Sequence, residues 1–193
     1  MPSMSREQVV AKIRNGESLA GYDLSGIDLS YENLKGINLE GANLSKANLN
    51  NANFEGANLK GANLTGSFFF GSNLLAANLD NTNMQDANLQ DCNLENASLQ
   101  NANMYHISLF GSNLENANLS GSNMERARMK RANCRKTVLE QVNLKNAHLE
   151  RCDLTGASFS KADLSEASLK NAIFDQTKFQ QAVTKGTKGF PEL

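Results

Sequence analysis

The chain has no tryptophan, two prolines and three cysteines in 193 residues, and it contains no long apolar run. Without such a run there is no candidate membrane span, and "MPSMSREQVVAKIRNG" at the amino terminus carries charges where a secretory signal needs apolar residues. Cytoplasmic localisation and no contact with a membrane are the expectations. Three cysteines, an odd number, do not form a disulfide framework. A formal charge of -1 gives no general attraction to nucleic acid or anionic lipid, so direct nucleic-acid binding is not expected.

What is abundant is asparagine and leucine, a bias that means either low complexity or a regular repeat. The spacing decides for the repeat. In "GANLSKANLNNANFEGANLKGANL" every fifth residue is large and apolar. The rule holds from Leu19 to Phe179 over thirty-three consecutive positions, with Leu at most, Phe or Met at others and Cys at 134. Two residues earlier the chain is mostly Ala, and between the two sits Asn, or less often Asp or Ser.

A five-residue period cannot be an amphipathic helix, because at about 100° per residue successive Leu positions spread around the cylinder. In an extended tripeptide, residues two apart share a face, so Ala and Leu point one way and Asn the other. The two remaining residues turn the chain. Of the thirty-two residues at the second turn position from Gly26 to Gln181, ten are Gly and nine are Asn or Asp, which tolerate positive φ. Each pentapeptide reads as a short strand plus a corner, with Ala and Leu buried between stacked coils.

With "ANLSK", "ANLNN", "ANLKG" and "ADLSE", the sequence resembles the pentapeptide-repeat family, over about residues 17 to 181. The resemblance implies an all-β fold, a right-handed quadrilateral parallel β-helix with twenty residues per coil. The chain then divides into residues 1–16 with a short N-terminal capping α-helix, 17–181 as about eight coils of solenoid, and an irregular C-terminal tail at 182–193. The helix is read from "SREQVVAKIRNG": Ser5 as N-cap with Gln8 three residues on, Val9, Val10 and Ile13 on one face, and Asn15-Gly16 as the stop. Phe190 is expected to fold over the last coil. The state is a monomer or an end-to-end dimer.

No chemistry beyond packing is legible. His106 and His148 fall at outward positions without a nucleophile motif, so no catalytic residue is assigned and the chain is not expected to be an enzyme. No His or Cys cluster has ligand spacing, so no metal or cofactor is expected. Cys92, Cys134 and Cys152 sit at inward positions as space-fillers, with Cys92 and Cys152 three coils apart, about 14 Å.

"RARMKRANCRK", Arg126 to Lys136, holds six cations. In a twenty-residue coil Glu115 adjoins Arg135 and Lys130 adjoins Glu150, giving exposed ion pairs. Arg126, Arg128, Arg131 and Arg151 gain no acidic neighbour. The same wall carries outward Phe68, Phe70 and Phe110, where the repeat calls for Asn. Since Arg and aromatics concentrate at interfaces, these seven residues form the candidate partner surface.

From Gly61 through Glu125 there is no Lys or Arg, while Asp80, Asp86, Asp91, Glu95, Glu115 and Glu125 supply six negative charges. The leading functional expectation is a non-enzymatic bacterial scaffold presenting a rigid wall to an unidentified protein partner, because filled coils leave little room for a substrate. The resemblance implies one alternative: some members look like duplex DNA in size and charge and modulate type II topoisomerases such as gyrase, and here the acidic middle would be the mimic. Near-balanced charge, the basic band, a tail without the dimerising helix and coils without an interrupting, projecting loop count against it. A further alternative is a secreted effector or secretion accessory, from the likeness of "GESLAGYDLSGIDLS" to repeat tracts on such proteins.

Overall fold

The computed structural model describes residues 4–190; residues 1–3 and 191–193, the outer ends of the two expected terminal segments, lie outside it. The chain opens with α1, Arg6–Arg14. Ser5 caps it: its Oγ accepts from the Gln8 N–H, and the Gln8 Oε1 accepts from the Ser5 N–H at 2.9 Å. Val9 and Val10 are buried and Ile13 packs against the same core. Arg6 ties the helix to the first coils through the Asp28 carbonyl at 2.9 Å and the Glu32 carboxylate at 2.7 Å. Asn15 ends it, and Gly16 turns the chain away with φ +68°.

Beyond α1 the chain winds with a register of twenty residues. Asp23 bridges Asn43, Asn43 bridges Asn63, and so on up to Ser168 and Lys188, always in parallel. Twenty residues hold four pentapeptides, so each coil presents four walls. Residues 182–188 keep the rhythm through the Val183 and Lys188 bridges. Phe190 then lies edge-on against Phe179, with ring centroids 4.9 Å apart.

The all-β expectation, a right-handed quadrilateral parallel β-helix, is corrected by this arrangement. Among the described residues there is no β-strand: every inter-coil pairing is an isolated bridge of one residue. The description as a β-helix or solenoid of strands falls with it. The cause is the corner frequency. Two of every five residues turn, so a single residue per wall reaches ladder geometry before the chain bends, and no run of paired residues can build up. The coils are still tied by backbone bonds, as from the Leu24 N–H to the Asn43 carbonyl at 2.7 Å and from the Asn43 N–H to the Tyr22 carbonyl at 2.9 Å.

The Leu, Phe and Met positions and the Ala positions two residues before them are buried along nearly the whole stack. Each buried Leu contributes about 1.5–3 kcal/mol before ordering entropy is subtracted. Where Ser, Thr or Cys replaces the small Ala, its donor mostly finds a main-chain carbonyl, as from Ser72 to Leu49 at 2.7 Å, Thr137 to Leu114 at 2.8 Å and Cys92 to Phe69 at 2.8 Å, while the Ser122 hydroxyl has none. Cys92, Cys134 and Cys152 are all buried free thiols.

Outside, the asparagines do two jobs at once. Along one wall the side chains link coil to coil from Asn33 through Asn53, Asn73, Asn93 and Asn113 to Asn133, at 2.8–3.3 Å. Each Oδ1 also accepts the backbone N–H two residues ahead, as Asn93 does from Glu95 at 3.2 Å. That second bond caps an amide that would otherwise face outward unpaired.

Candidate functional site on the Arg128 wall

Two opposite walls depart from the asparagine pattern, one at Ser98, Val138, Ser158 and Lys178, the other more heavily. The bridge column of the second reads Asp28, Asn48, Phe68, Asn88, Ser108, Arg128, His148, Ser168. The neighbouring column on the same wall runs through Phe70, Gln90, Phe110, Lys130 and Glu150.

Of the seven candidate surface residues, Phe68, Phe70, Phe110 and Arg128 lie on this wall. Phe68, Phe70 and Phe110 are 47%, 45% and 36% exposed, unusual for large apolar side chains here, where the other exposed ones are Tyr31, Ile173 and Val183. Arg126 sits at the corner before the wall, with its guanidinium 6.0 Å from the Tyr105 ring centroid. Arg131 and Arg151 sit at the corner after it, and Arg131 lies 5.9 Å from the Phe110 ring centroid. Both arginine–ring contacts are of cation–π type.

Arg128 is held by His106, one coil earlier: Nη2 lies 2.7 Å from His106 Nε2, and His106 Nδ1 lies 2.8 Å from an Asp86 carboxylate oxygen. The bond from His106, with a second from Gln85, lowers the Asp86 carboxyl below its usual range. Among the described residues no carboxylate lies within ion-pair distance of Arg126, Arg128, Arg131 or Arg151.

Two expected ion pairs do not form. Arg135 joins Asp153 at 3.0 Å rather than Glu115, and Glu150 faces His148 at 3.3 Å rather than Lys130. Side chains beside the bridge column often lean onto the bridge residue of the next coil, eighteen positions on, as Lys145 does toward Asp163. Glu150 stays ionised: burial opposes its charge, but bonds from Ser168, its own amide and His148 outweigh that and lower its pKa.

Gln90, Ser108, Phe110, Arg128, Lys130, His148 and Glu150 enclose a shallow groove of about 640 Å³. It gathers Phe110 and Arg128 from the candidate set, while Phe68 and Phe70 lie lower on the same wall. Gln90, Ser108, Lys130, His148 and Glu150 lie outside the candidate set. Their signal is the loss of Asn at 108, 128 and 148 in one twenty-residue column.

That loss has a backbone consequence. On this wall the amides of Ser30, Asn50 and Gln90 are capped by Asp28, Asn48 and Asn88, and that of Phe70 by Asn50 from the coil below at 2.8 Å. From Ser108 onward the caps stop. The N–H groups of Phe110 and Lys130 have no acceptor among the described residues. On the two adjoining walls the caps continue to Asp163 and Asp153, whereas on the opposite wall they stop after Asn118 and leave the Glu140 and Ser160 amides without an acceptor among the described residues.

No group of three or more His, Cys, Asp or Glu that could hold a metal occurs among the described residues, and no helix there is long and apolar enough to cross a membrane. Burial pushes the Cys92 thiol up to about 12, which keeps it protonated and unreactive.

A coil of repeated pentapeptides with a filled interior, carrying its distinctive groups on a wall, defines a class of non-catalytic repeat proteins. The pentapeptide-repeat profile, "Pentapeptide repeats", matches in eight copies, at residues 23–61, 37–74, 77–116, 107–146 and 143–181, and the chain belongs to that family.

Among solved structures it is similar to HetL, a pentapeptide-repeat protein involved in heterocyst differentiation regulation in the cyanobacterium Nostoc sp. strain PCC 7120. The TM-score is 0.69 and the identity 25%, covering 96% of this chain and 94% of that one. It is also similar to QnrB1, a plasmid-mediated fluoroquinolone resistance protein. One trypsin-treated variant of QnrB1 gives a TM-score of 0.68 at 21% identity over 84% of this chain and 89% of that one. A second trypsin-treated variant gives 0.62 at 20% over 88% and 91%. No curated protein matches by sequence.

Proposed function

We propose that this protein acts without catalysis, by binding a type II topoisomerase through an anionic stretch of coil that stands in for duplex DNA. The observation that carries the reading is the cation-free stretch from Gly61 to Glu125, with six carboxylates distributed around the coil. At about 4.8 Å per coil, it is about 16 Å long. Duplex DNA carries one charge per about 1.7 Å, or about nine over that length, so the stretch reaches about two-thirds of the duplex line charge. The likeness to QnrB1 over most of both chains supports the same reading. Purified gyrase supercoiling relaxed plasmid tests it. Added protein at micromolar concentration is expected to slow supercoiling, or to restore it in the presence of a fluoroquinolone. No effect on either sinks the reading.

A second reading has its own observation. Of six exposed large hydrophobics among the described residues, Tyr31, Phe68, Phe70 and Phe110 lie on the Arg128 wall or its corner. Together with Arg126, Arg128, Arg131 and Arg151 they support a scaffold role, in which this wall presents a rigid surface to another protein.

A further inference from the structure

The exposed rings alone say little about what covers them, but the bare amides do. Along the Arg128 wall the side chains that cap the outward amide lower in the stack are missing at Ser108 and Arg128, which leaves the N–H groups of Phe110 and Lys130 without an acceptor among the described residues. The opposite wall bares Glu140 and Ser160 in the same way, but there the column carries a carboxylate, Glu140, where this one carries Lys130. The Phe110 and Lys130 amides occupy equivalent places in successive coils, about 4.8 Å apart. In the capped coils the Asn or Asp Oδ1 that takes this amide lies on the outer surface, so these two donors face the groove side of the wall.

The cations gather at the same place. Arg128 spends one N–H on His106 and keeps its other donors; Lys130 and Arg131 have no carboxylate partner among the described residues. The one carboxylate in the groove, Glu150, is engaged by His148 and Ser168. Backbone donors without a protein acceptor beside cations without a carboxylate form a surface suited to an anion. Phe110, with Arg131 over its ring, gives the groove an apolar floor. Phe70 lies two coils further along the same column.

We infer that this groove takes the Asp or Glu side chains of an acidic, extended segment of a protein partner, with an apolar residue of that segment on Phe110 or Phe70. The carboxylate accepts from the Phe110 and Lys130 amides and pairs with Arg128 or Lys130. From Phe70 to Lys130 is three coils, about 14 Å, which about four extended residues span. A segment whose apolar residue sits on Phe70 therefore places it about four positions from its carboxylates. The inference rests on the second reading above, that the wall binds protein, and adds the chemistry of what is bound. It does not depend on the topoisomerase reading.

The test uses the full chain and a labelled synthetic peptide with a Leu-Phe pair followed four residues on by three Glu, its Gln counterpart, and fluorescence anisotropy. The decisive variant is Ser108→Asn, which keeps the charge, restores the residue type of the repeat and supplies the missing cap to Phe110. The Glu peptide is expected to bind wild type about tenfold more tightly than Ser108→Asn or than Arg128→Gln, since each removes one hydrogen bond to a charged group. Circular dichroism and the unfolding midpoint show that both variants stay folded. Equal binding by wild type and Ser108→Asn overturns the role of the bare amides, and no binding of the Glu peptide overturns the inference outright. If the Gln peptide binds as well as the Glu peptide, the wall reading stands and the carboxylate inference fails. If polyphosphate or duplex DNA displaces the peptide at lower concentration than free peptide does, the groove is a phosphate site and the inference is likewise overturned.

Discussion

Arg128 donates from Nη2 to Nε2 of His106 at 2.7 Å, so two basic side chains are hydrogen-bonded to one another. A guanidinium has no acceptor, so Nε2 carries no proton and the ring is the neutral Nδ1–H tautomer, with that proton directed at Asp86. Proton–nitrogen correlation NMR is expected to show Nε2 unprotonated at neutral pH. A spectrum of the opposite tautomer would contradict the Asp86–His106–Arg128 chain.

The same chain sets a pH dependence. The bond from His106, helped by Gln85, lowers the Asp86 carboxyl. A carboxyl lowered by folding contributes stability above its unfolded pKa, about 3.9, and loses it as pH falls through the lower folded value. Asp86→Asn is therefore expected to destabilise at neutral pH and to cost less at about pH 3, below the unfolded pKa. Asp86 is half exposed, so the effect is small. Urea midpoints at both pH values decide it, and an equal difference at the two would exclude the linkage.

Two serines at the same kind of inward position are expected to respond oppositely to alanine. The Ser72 hydroxyl donates to the Leu49 carbonyl at 2.7 Å, whereas the Ser122 hydroxyl is buried without a partner. Ser72→Ala should destabilise by about 1 kcal/mol and Ser122→Ala should stabilise by about 1 kcal/mol, because an unmade buried hydrogen bond carries its desolvation cost uncompensated. Chemical denaturation that gave the two the same sign would refute the assignment.

The thiols offer a probe of the packed interior. Cys92, Cys134 and Cys152 are buried, and burial holds the Cys92 thiol near 12. A disulfide reagent should label none of them in the native protein at neutral pH and all three in urea. Rapid native labelling would mean that the coils open far more readily than their packing implies.

For the wall itself, replacing Phe70, Phe110, Arg128 and Arg131 together with polar neutral residues should abolish capture of the partner from source-cell extract while leaving circular dichroism unchanged. Each side chain points away from the core, so little packing is lost. Capture that survives the four changes would place the contact elsewhere.

The fold is legible in the sequence where a single strong periodicity governs. Leu19 to Phe179 and the Ala two residues before each repeat so regularly that inward and outward positions follow from counting, and Ser5 with Gln8 announces the helix start. It is not legible where the outcome turns on how many consecutive residues pair. The period of five is compatible with short strands, but the corner at residues such as Asn51 and Arg131, both with positive φ, comes too soon for any strand to form. The Glu115–Arg135 and Lys130–Glu150 pairs were misplaced because register fixes where backbones meet, while long side chains such as Arg135 lean to the next column. The bare amides of Phe110 and Lys130 were legible in principle, since they follow from the absence of Asn at 108 and 128. They become visible once those positions are aligned with Asn48 and Asn88.

The strict pairing of each residue with the one twenty positions on also limits how such a chain can change in length. Gaining or losing one full circuit would leave every surface downstream in its old orientation. Gaining or losing a lone pentapeptide would swing all that follows by a quarter turn and divide the groove from the phenylalanines below it. Any duplication between Phe70 and Lys130 that keeps this surface aligned must therefore come in units of twenty.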